Sequence, residues 1–402
     1  MKRKYNYLEC ENIIRSDYNL VINDNAINLH LIKKLNNIII NNDLSIVFII
    51  LSHDKQYTGR CILNTVDLIN NIPLSNVSIY LGFQGNIENN MKQLLINRKV
   101  TIINNHKLIS EEYKIDLCKG KSENMFSSLF YISRLHEELK TFVLTLDSDY
   151  YIYDYINLLA LITPWILSFE NDYYQNVEFV KGSGLFIHPL SKDQLSLDKQ
   201  GMLSYGDVVN SYLEDKITEE VYITPKNIRD LLDKNQIKKI EDNLLSDFII
   251  GGRIGRSFCL SQILNIGSTN GRNFSKFRYI LHGNQGTTLY NWNLMNLSKG
   301  YGLEISFLFE FLYNNIFFNK KIVDLEILPI SHDAKSFKES MLIGVDLFSL
   351  YKKYQDFIQQ EKTICSNMEV LSSDGLFDIE IHNIVADNKL DLLPSVADFK
   401  VK

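Results

Sequence analysis

Short apolar runs alternate with longer amphipathic stretches along most of this chain. Residues 45–51, 77–81, 100–103, 142–146, 177–180 and 322–328 are rich in Ile, Val, Leu and Phe. Several of these runs are continuously apolar, the pattern of strands buried on both faces of a sheet. Helical periodicity fills the gaps between them, most clearly over 123–140 and 303–313. Strands alternating with helices predict an α/β fold, a mostly parallel sheet flanked by helices. Residues 1–42 read as a helical N-terminal extension. Residues 43–340 read as the main domain, and its polar, charged stretch 191–247 as an insertion or lid. Residues 341–402 read as a C-terminal helix and tail. No internal repeat is visible.

At 402 residues the chain can bury a large core. Its 45% hydrophobic and 22% charged residues are those of an ordinary globular protein. A net charge of −6 argues against a general nucleic-acid binder, whose footprint would be basic. The five cysteines are scattered and lack C-x-x-C spacing, which fits reduced thiols in a cytoplasm better than a disulfide framework or a zinc site. The N-terminus starts basic, but no apolar segment follows, so a signal peptide is not expected. No stretch is long and apolar enough to predict a membrane span.

The candidate chemistry begins where the run 141–146 meets Asp147, Ser148 and Asp149, the only D-x-D in the chain. In an extended segment, residues i and i+2 project to the same side. Both carboxylates would stand at the carboxyl end of a strand, where open α/β sheets place their ligands. Two hard oxygen ligands there suit Mg²⁺ or Mn²⁺ carrying a diphosphate. Asp54 follows the first strand and could accept hydrogen bonds from a nucleotide, or simply cap the next helix. Lys121 stands after Gly120 at a predicted helix start, where backbone N–H groups already favour an anion. Gly251, Gly252, Arg253, Gly255 and Arg256 could form an anion cradle, although a glycine-arginine stretch taken alone is more commonly a solvated surface loop. Polar residues cluster over 282–288, just before a helix, and Glu304 falls in the first turn of the apolar helix 303–313. His332 follows the last predicted strand and could return to a metal held by Asp149.

In this order the motifs resemble those of retaining GT-A glycosyltransferases of the glucosyl-3-phosphoglycerate synthase and mannosylglycerate synthase type. The matching pieces are Gly120-Lys121, Asp147-Ser148-Asp149, Pro164-Trp165, Gly251-Gly252-Arg253, the stretch 281–288, Gly300-Tyr301-Gly302-Leu303-Glu304-Ile305, and His332. They span roughly residues 43–340. The resemblance implies the GT-A fold of nucleotide-diphospho-sugar transferases and a hexosyltransferase activity that needs Mg²⁺ or Mn²⁺. It implies that Asp149 and His332 hold the metal and that Glu304 and Asp149 are the catalytic residues. Asp54, Lys121, Asp147 and Ser148 would bind the nucleotide. Gly252, Arg253, Gly283, Asn284 and Thr288 would line the substrate site, with Glu304 on the transferred sugar or the acceptor hydroxyl. The implied partners are a nucleotide-sugar donor, UDP-glucose before GDP-mannose, and a small anionic acceptor. Related folds often dimerise through C-terminal helices, which leaves a homodimer open. Departures fall mostly on the acceptor side: Gly255 replaces a threonine of the family, and His282 replaces an apolar residue.

Two other readings remain open from the residues. A sugar-phosphate nucleotidyltransferase also uses an α/β sheet, a D-x-D and a phosphate-binding lysine. It predicts a Gly-rich basic loop after the first strand, which the residues following Leu51 match poorly. A non-catalytic sugar-nucleotide-binding protein of the same fold is the other.

Overall fold

The structure is a computed structural model. It describes residues 13–17, 29–53, 58–115, 117, 120–152, 154–183, 186–187, 277, 282–299, 302–317, 319–327, 330–332, 350, 367–372, 375–380, 393 and 395–399. The chain divides into two units. One takes Met1–Ser183, His282–Ile327 and Leu390–Lys402, and the other takes Gly184–Leu281 and Leu328–Lys389.

The first unit is organised by its sheet. Its strands are β1 (Ile13–Asp17), β2 (Ser45–His53), β3 (Val77–Gln84), β4 (Val100–Ile103), β5 (Thr141–Asp147), β7 (Val177–Ser183), β9 (Gln285–Thr288) and β10 (Lys321–Glu326), with a short β6 at Tyr150–Tyr151. Eight of them form one sheet in the order β1-β10-β7-β9-β5-β2-β3-β4. All pairings are parallel except those of β9, which runs antiparallel between β5 and β7. The continuous apolar runs are the central strands, as their composition predicts: Ile46 to Ile50 and Phe142 to Leu144 are fully buried. Connections leave β2 toward β3 on one side, while β5 lies on the other. The carboxyl ends of β2 and β5 therefore flank the point where strand order reverses, with Leu51 in register with Asp147.

The helices of this unit are α1 (Leu29–Asn41), α2 (Thr58–Asn70), α3 (Asn89–Asn97), α4 (His106–Tyr113), α5 (Lys121–Ile132), α6 (Tyr155–Leu167), α7 (Leu289–Leu294) and α8 (Leu303–Tyr313). Helix α6 is apolar almost throughout and buried from Asn157 onward, so it behaves as core and not as an amphipathic cover. Asp154 caps it by accepting from the Ile156 N–H at 2.9 Å. Helix α8 is buried along its whole length. Its Phe307 and Phe311 pack on Phe179 of β7, with ring centroids 5.8 and 4.7 Å away.

Three local outcomes differ from the sequence expectation. The N-terminal extension contains the expected helix, α1, but also β1, which lengthens the sheet by pairing with β10. The helix predicted over 123–140 ends at Ile132. The chain then turns, and His136 meets the Tyr80 hydroxyl at 2.7 Å before β5 begins. Strand β9 went unpredicted because four residues, Gln-Gly-Thr-Thr, carry no apolar signature; tertiary pairing overrides that weak local preference.

In the second unit, β8 (Phe186–Ile187) pairs in parallel with β11 (Ile330–His332). Where a helix and polar tail were expected over 341–402, β12 (Asn367–Ser372) and β13 (Gly375–Glu380) form an antiparallel hairpin. In the sequence, Met368, Val370, Phe377 and Ile379 fall at alternate positions of these two segments. The expected lid over 191–247 lies outside the described residues. No helix of the described residues is long and apolar enough to cross a membrane.

Gly286 lets β9 enter the sheet. A Cβ there would come within 2.5 Å of the Phe142 ring, which is itself stacked on Trp165. Gly286→Ala is therefore expected to lower stability by about 1–3 kcal/mol through overpacking, read from urea unfolding. An unchanged midpoint would show that the Phe142–Trp165 stack can yield.

Candidate active site

Three elements converge on the carboxyl end of β5. Gly120 precedes α5, and its N–H donates to Gln84 Oε1 at 3.0 Å, tying the helix start to the end of β3. One turn on, Asn124 donates through Nδ2 to the carbonyls of Ser52 at 2.9 Å and Gly82 at 2.7 Å. A single buried amide thus fixes α5 against the ends of β2 and β3. This places Lys121, the first helical residue, over the switch point.

Lys121 does not face solvent as a free cation. Its Nζ lies 2.5 Å from Asp147 Oδ1 and 2.5 Å from Glu304 Oε1. The three side chains are 19%, 14% and 12% exposed, so the cluster sits in a recess with one open side. Burial alone would lower the lysine. The carboxylates of Asp147 and Glu304, with their hydrogen bonds, outweigh it and hold the ammonium above the ordinary lysine range. Lys121 is charged at any working pH.

The segment before β9 closes the recess. Thr145 Oγ1 donates toward the carbonyls of Gly283 at 3.1 Å and Gln285 at 3.0 Å. The Gly182 N–H donates to the Asn284 carbonyl at 2.9 Å. Gly283 lies directly on the Asp147 carboxylate, and any Cβ at 283 would collide with it. Asn284 is fully buried, and neither polar atom of its side chain has a hydrogen-bond partner among the described residues. Ser148 is buried beside them and donates its N–H to the Leu51 carbonyl at 3.3 Å. Asp149 is partly exposed in the turn that follows β5.

Of the residues singled out in the sequence, Lys121, Asp147, Glu304, Gly283 and Asn284 therefore come together, with Ser148 and Asp149 adjoining. Thr288 does not. It pairs with Phe142 at the opposite end of β5, and its Oγ1 caps α7 by accepting from the Asn291 N–H at 3.2 Å. The antiparallel course of β9 carries it away from the site, which corrects its expected place in the substrate site. His332 ends β11 in the second unit. Asp54, Gly252 and Arg253 lie outside the described residues. Among the described residues, no three His, Cys, Asp or Glu side chains gather as a metal-ligand set.

Sequence reading missed two charged residues beside the cluster. Lys181 of β7 is fully buried, and Asp324 of β10, also fully buried, stands opposite it in the parallel register. Burial drives Lys181 down to about 7 against the pull of Asp324 and Glu304, with Lys121 adding to the fall. A charged residue inside each of two buried strands was the available signal.

No family model and no curated protein sequence matches this chain. Solved structures do. Mannosyl-3-phosphoglycerate synthase from Rubrobacter xylanophilus aligns with a TM-score of 0.55 at 13% identity, over 96% of this chain and 95% of that one. Glucosyl-3-phosphoglycerate synthase from Mycobacterium tuberculosis, bound to Mn²⁺, UDP and phosphoglyceric acid, aligns with a TM-score of 0.52 at 12% identity, over 92% and 95%. A further structure of that enzyme, with Mn²⁺, UDP-glucose and phosphoglyceric acid, gives 0.52 at 11% identity over the same shares. The fold is the GT-A fold that the motifs implied.

Lys121 and Glu304 should be thermodynamically coupled. A double-mutant cycle of Lys121→Met and Glu304→Gln, measured by urea unfolding, is expected to give an interaction of about 0.5–3 kcal/mol. Strict additivity would mean that the contact is not maintained in solution.

Proposed function

We propose that this protein is a retaining, metal-dependent glycosyltransferase. It moves a sugar from a nucleoside-diphosphate sugar to a small anionic acceptor carrying a hydroxyl group, of the phosphoglycerate kind. The observation that carries this reading is the Lys121 ammonium shared by Asp147 and Glu304 at the switch point of the sheet. A fixed cation, a strand-end carboxylate and a second carboxylate in one recess suit a diphosphate leaving group and a sugar. The structures of similar fold hold UDP or UDP-glucose with Mn²⁺ and phosphoglyceric acid, which supports UDP-glucose as the first donor to test and GDP-mannose as the second.

In this reading Lys121 presents its charge to the diphosphate, and its helix N-terminus adds backbone N–H groups. Asp54, Asp147 and Ser148 hold the nucleoside end of the donor. Asp149, a partly exposed carboxylate just past β5, offers the hard oxygen that Mg²⁺ or Mn²⁺ takes, with His332 as a second ligand. The bound metal would neutralise charge developing on the departing diphosphate. Glu304 accepts a hydrogen bond from the sugar or from the acceptor hydroxyl, steadying an oxocarbenium-like centre. Gly283 and Asn284 form the wall against which the sugar rests. Gly252 and Arg253 take the acid of the acceptor, where the guanidinium fork can grip two oxygens. The acceptor hydroxyl transfers its proton to the leaving phosphate oxygen on the same face, so the anomeric configuration is retained without an enzymic nucleophile.

The test is a reaction of UDP-glucose with 3-phosphoglycerate and Mn²⁺, followed by release of free UDP. Thermal shift with UDP and Mn²⁺ gives an independent reading of donor binding. Pyrophosphate as product would mean nucleotidyl transfer instead. No shift and no product across a panel of nucleotide-sugars would overturn the proposal.

Two sets of variants sharpen it. Asp149→Ala and His332→Ala are each expected to abolish transfer while the far-UV spectrum is kept; a fully active His332→Ala would remove that residue from the site. Lys121→Ala should raise the Kd for UDP by about ten- to a hundredfold, the worth of one charge-assisted contact. Arg253→Lys should impair use of the acceptor and leave UDP binding unchanged, because lysine keeps the charge and loses the fork. Loss of UDP affinity in Arg253→Lys would place that arginine on the donor side.

A further inference from the structure

Behind the recess lies a second layer of charge. On β7, alternate residues share a side of the strand, so Phe179 and Lys181 point the same way. Phe179 meets Phe307 and Phe311 of α8. Glu304 lies one turn before Phe307 on that helix and on the same face. Lys181 therefore stands one pleat further toward the site, on the side of the sheet that faces α8. Asp324 lies beside it in register on β10, and Gln285 beside it on β9. Lys181 and Asp324 are both fully buried. The charges that act on the Lys181 ammonium are Asp324 from β10, Glu304 from α8 and Lys121 from α5, while β9 offers the neutral Gln285 and the ammonium donates to the Gly182 carbonyl at 3.4 Å. Lys121 binds Glu304 directly at 2.5 Å, and Lys181, buried on the strand face that packs against α8, stands where the charge of Glu304 acts on it.

We infer that Lys181 is a positioning residue for glycosyl transfer, setting through its own protonation how firmly Glu304 is drawn back from the cleft. This inference rests on the transferase reading of the site. With Lys181 charged, Glu304 is pulled between two cations, and its lone pairs are turned toward them. A second cation near a centre that becomes positive also opposes the transition state. With Lys181 neutral, Glu304 is held by Lys121 alone and its free oxygen is available to the sugar. Asp324 keeps the buried amine from being lost to deprotonation well below neutrality. The balance of burial against two carboxylates puts the change at about 7, where small shifts in pH alter the population.

The experiment measures kcat for UDP-glucose and 3-phosphoglycerate with Mn²⁺ across pH, alongside the affinity for UDP–Mn²⁺. Wild type should gain about tenfold in kcat from about pH 6 to about pH 8, as a single site titrates. Lys181→Arg keeps its charge throughout, so its profile should be flat at the low level. The pair Lys181→Met and Asp324→Asn, combined, removes both charges and should be flat near the high wild-type level. That variant carries the test if arginine does not fit the buried position. UDP–Mn²⁺ affinity should stay within about twofold in all of them. A wild-type profile without the rise, an arginine variant equal to wild type at high pH, or the wild-type slope in the double variant would overturn the inference. So would UDP affinity falling in step with kcat, which marks a merely structural role. A wild type that neither binds UDP nor releases it would instead sink the transferase reading itself.

Discussion

One buried ammonium holds together parts of the chain that lie far apart in sequence. Lys121 belongs to the start of α5, Asp147 to the end of β5, and Glu304 to the first turn of α8. Two carboxylates in so enclosed a recess would repel each other and carry a large desolvation cost without a shared counter-charge. The lysine removes that conflict and, in doing so, fixes where α5 and α8 meet the sheet. Gln84 and Asn124 then secure α5 from behind, so the position of the cation does not depend on its ion pairs alone.

The sheet was legible where side chains are driven into an apolar interior. Residues 45–51 and 142–146 are runs that only a doubly covered strand accommodates, and they became β2 and β5. The helix at 303–313 was equally plain and kept its bounds. Illegible were the elements formed by pairing instead of burial pattern. Strand β9 consists of Gln, Gly and two Thr, and it is defined by its antiparallel pairing with β5 on one side and β7 on the other. β1 is likewise a short edge segment that forms on β10.

Within the site, the residues easiest to find were those set off by sequence contrast: two acids after an apolar strand, a lysine after a glycine, a glutamate opening an apolar helix. Their mutual contacts were not legible, because Lys121 and Glu304 meet only through the fold. Thr288 shows the opposite case. It sits in a motif whose first residues reach the site, but reversal of the strand takes its own side chain to the far end of β5. Lys181 and Asp324 were overlooked because a lone charge in a strand reads as an interruption, when here two such charges stand side by side. Alignment with solved structures at 11–13% identity shows how much sequence this arrangement of strands tolerates.

The hydrogen bonds at the carboxyl ends of β7 and β10 have a further meaning for how the chain can change. Gly182 donates to Asn284, and Ile327 donates to Ser183 at 2.7 Å. The points where the chain leaves the first unit at Ser183, returns at His282 and leaves again at Ile327 are therefore neighbours within it. An excursion whose ends are already stitched together can lengthen at little entropic expense, since closure cost grows only with the logarithm of loop length. The 98 residues from 184 to 281 are such an excursion. The sheet thus closes on itself at this seam whatever the length of chain between residues 183 and 282.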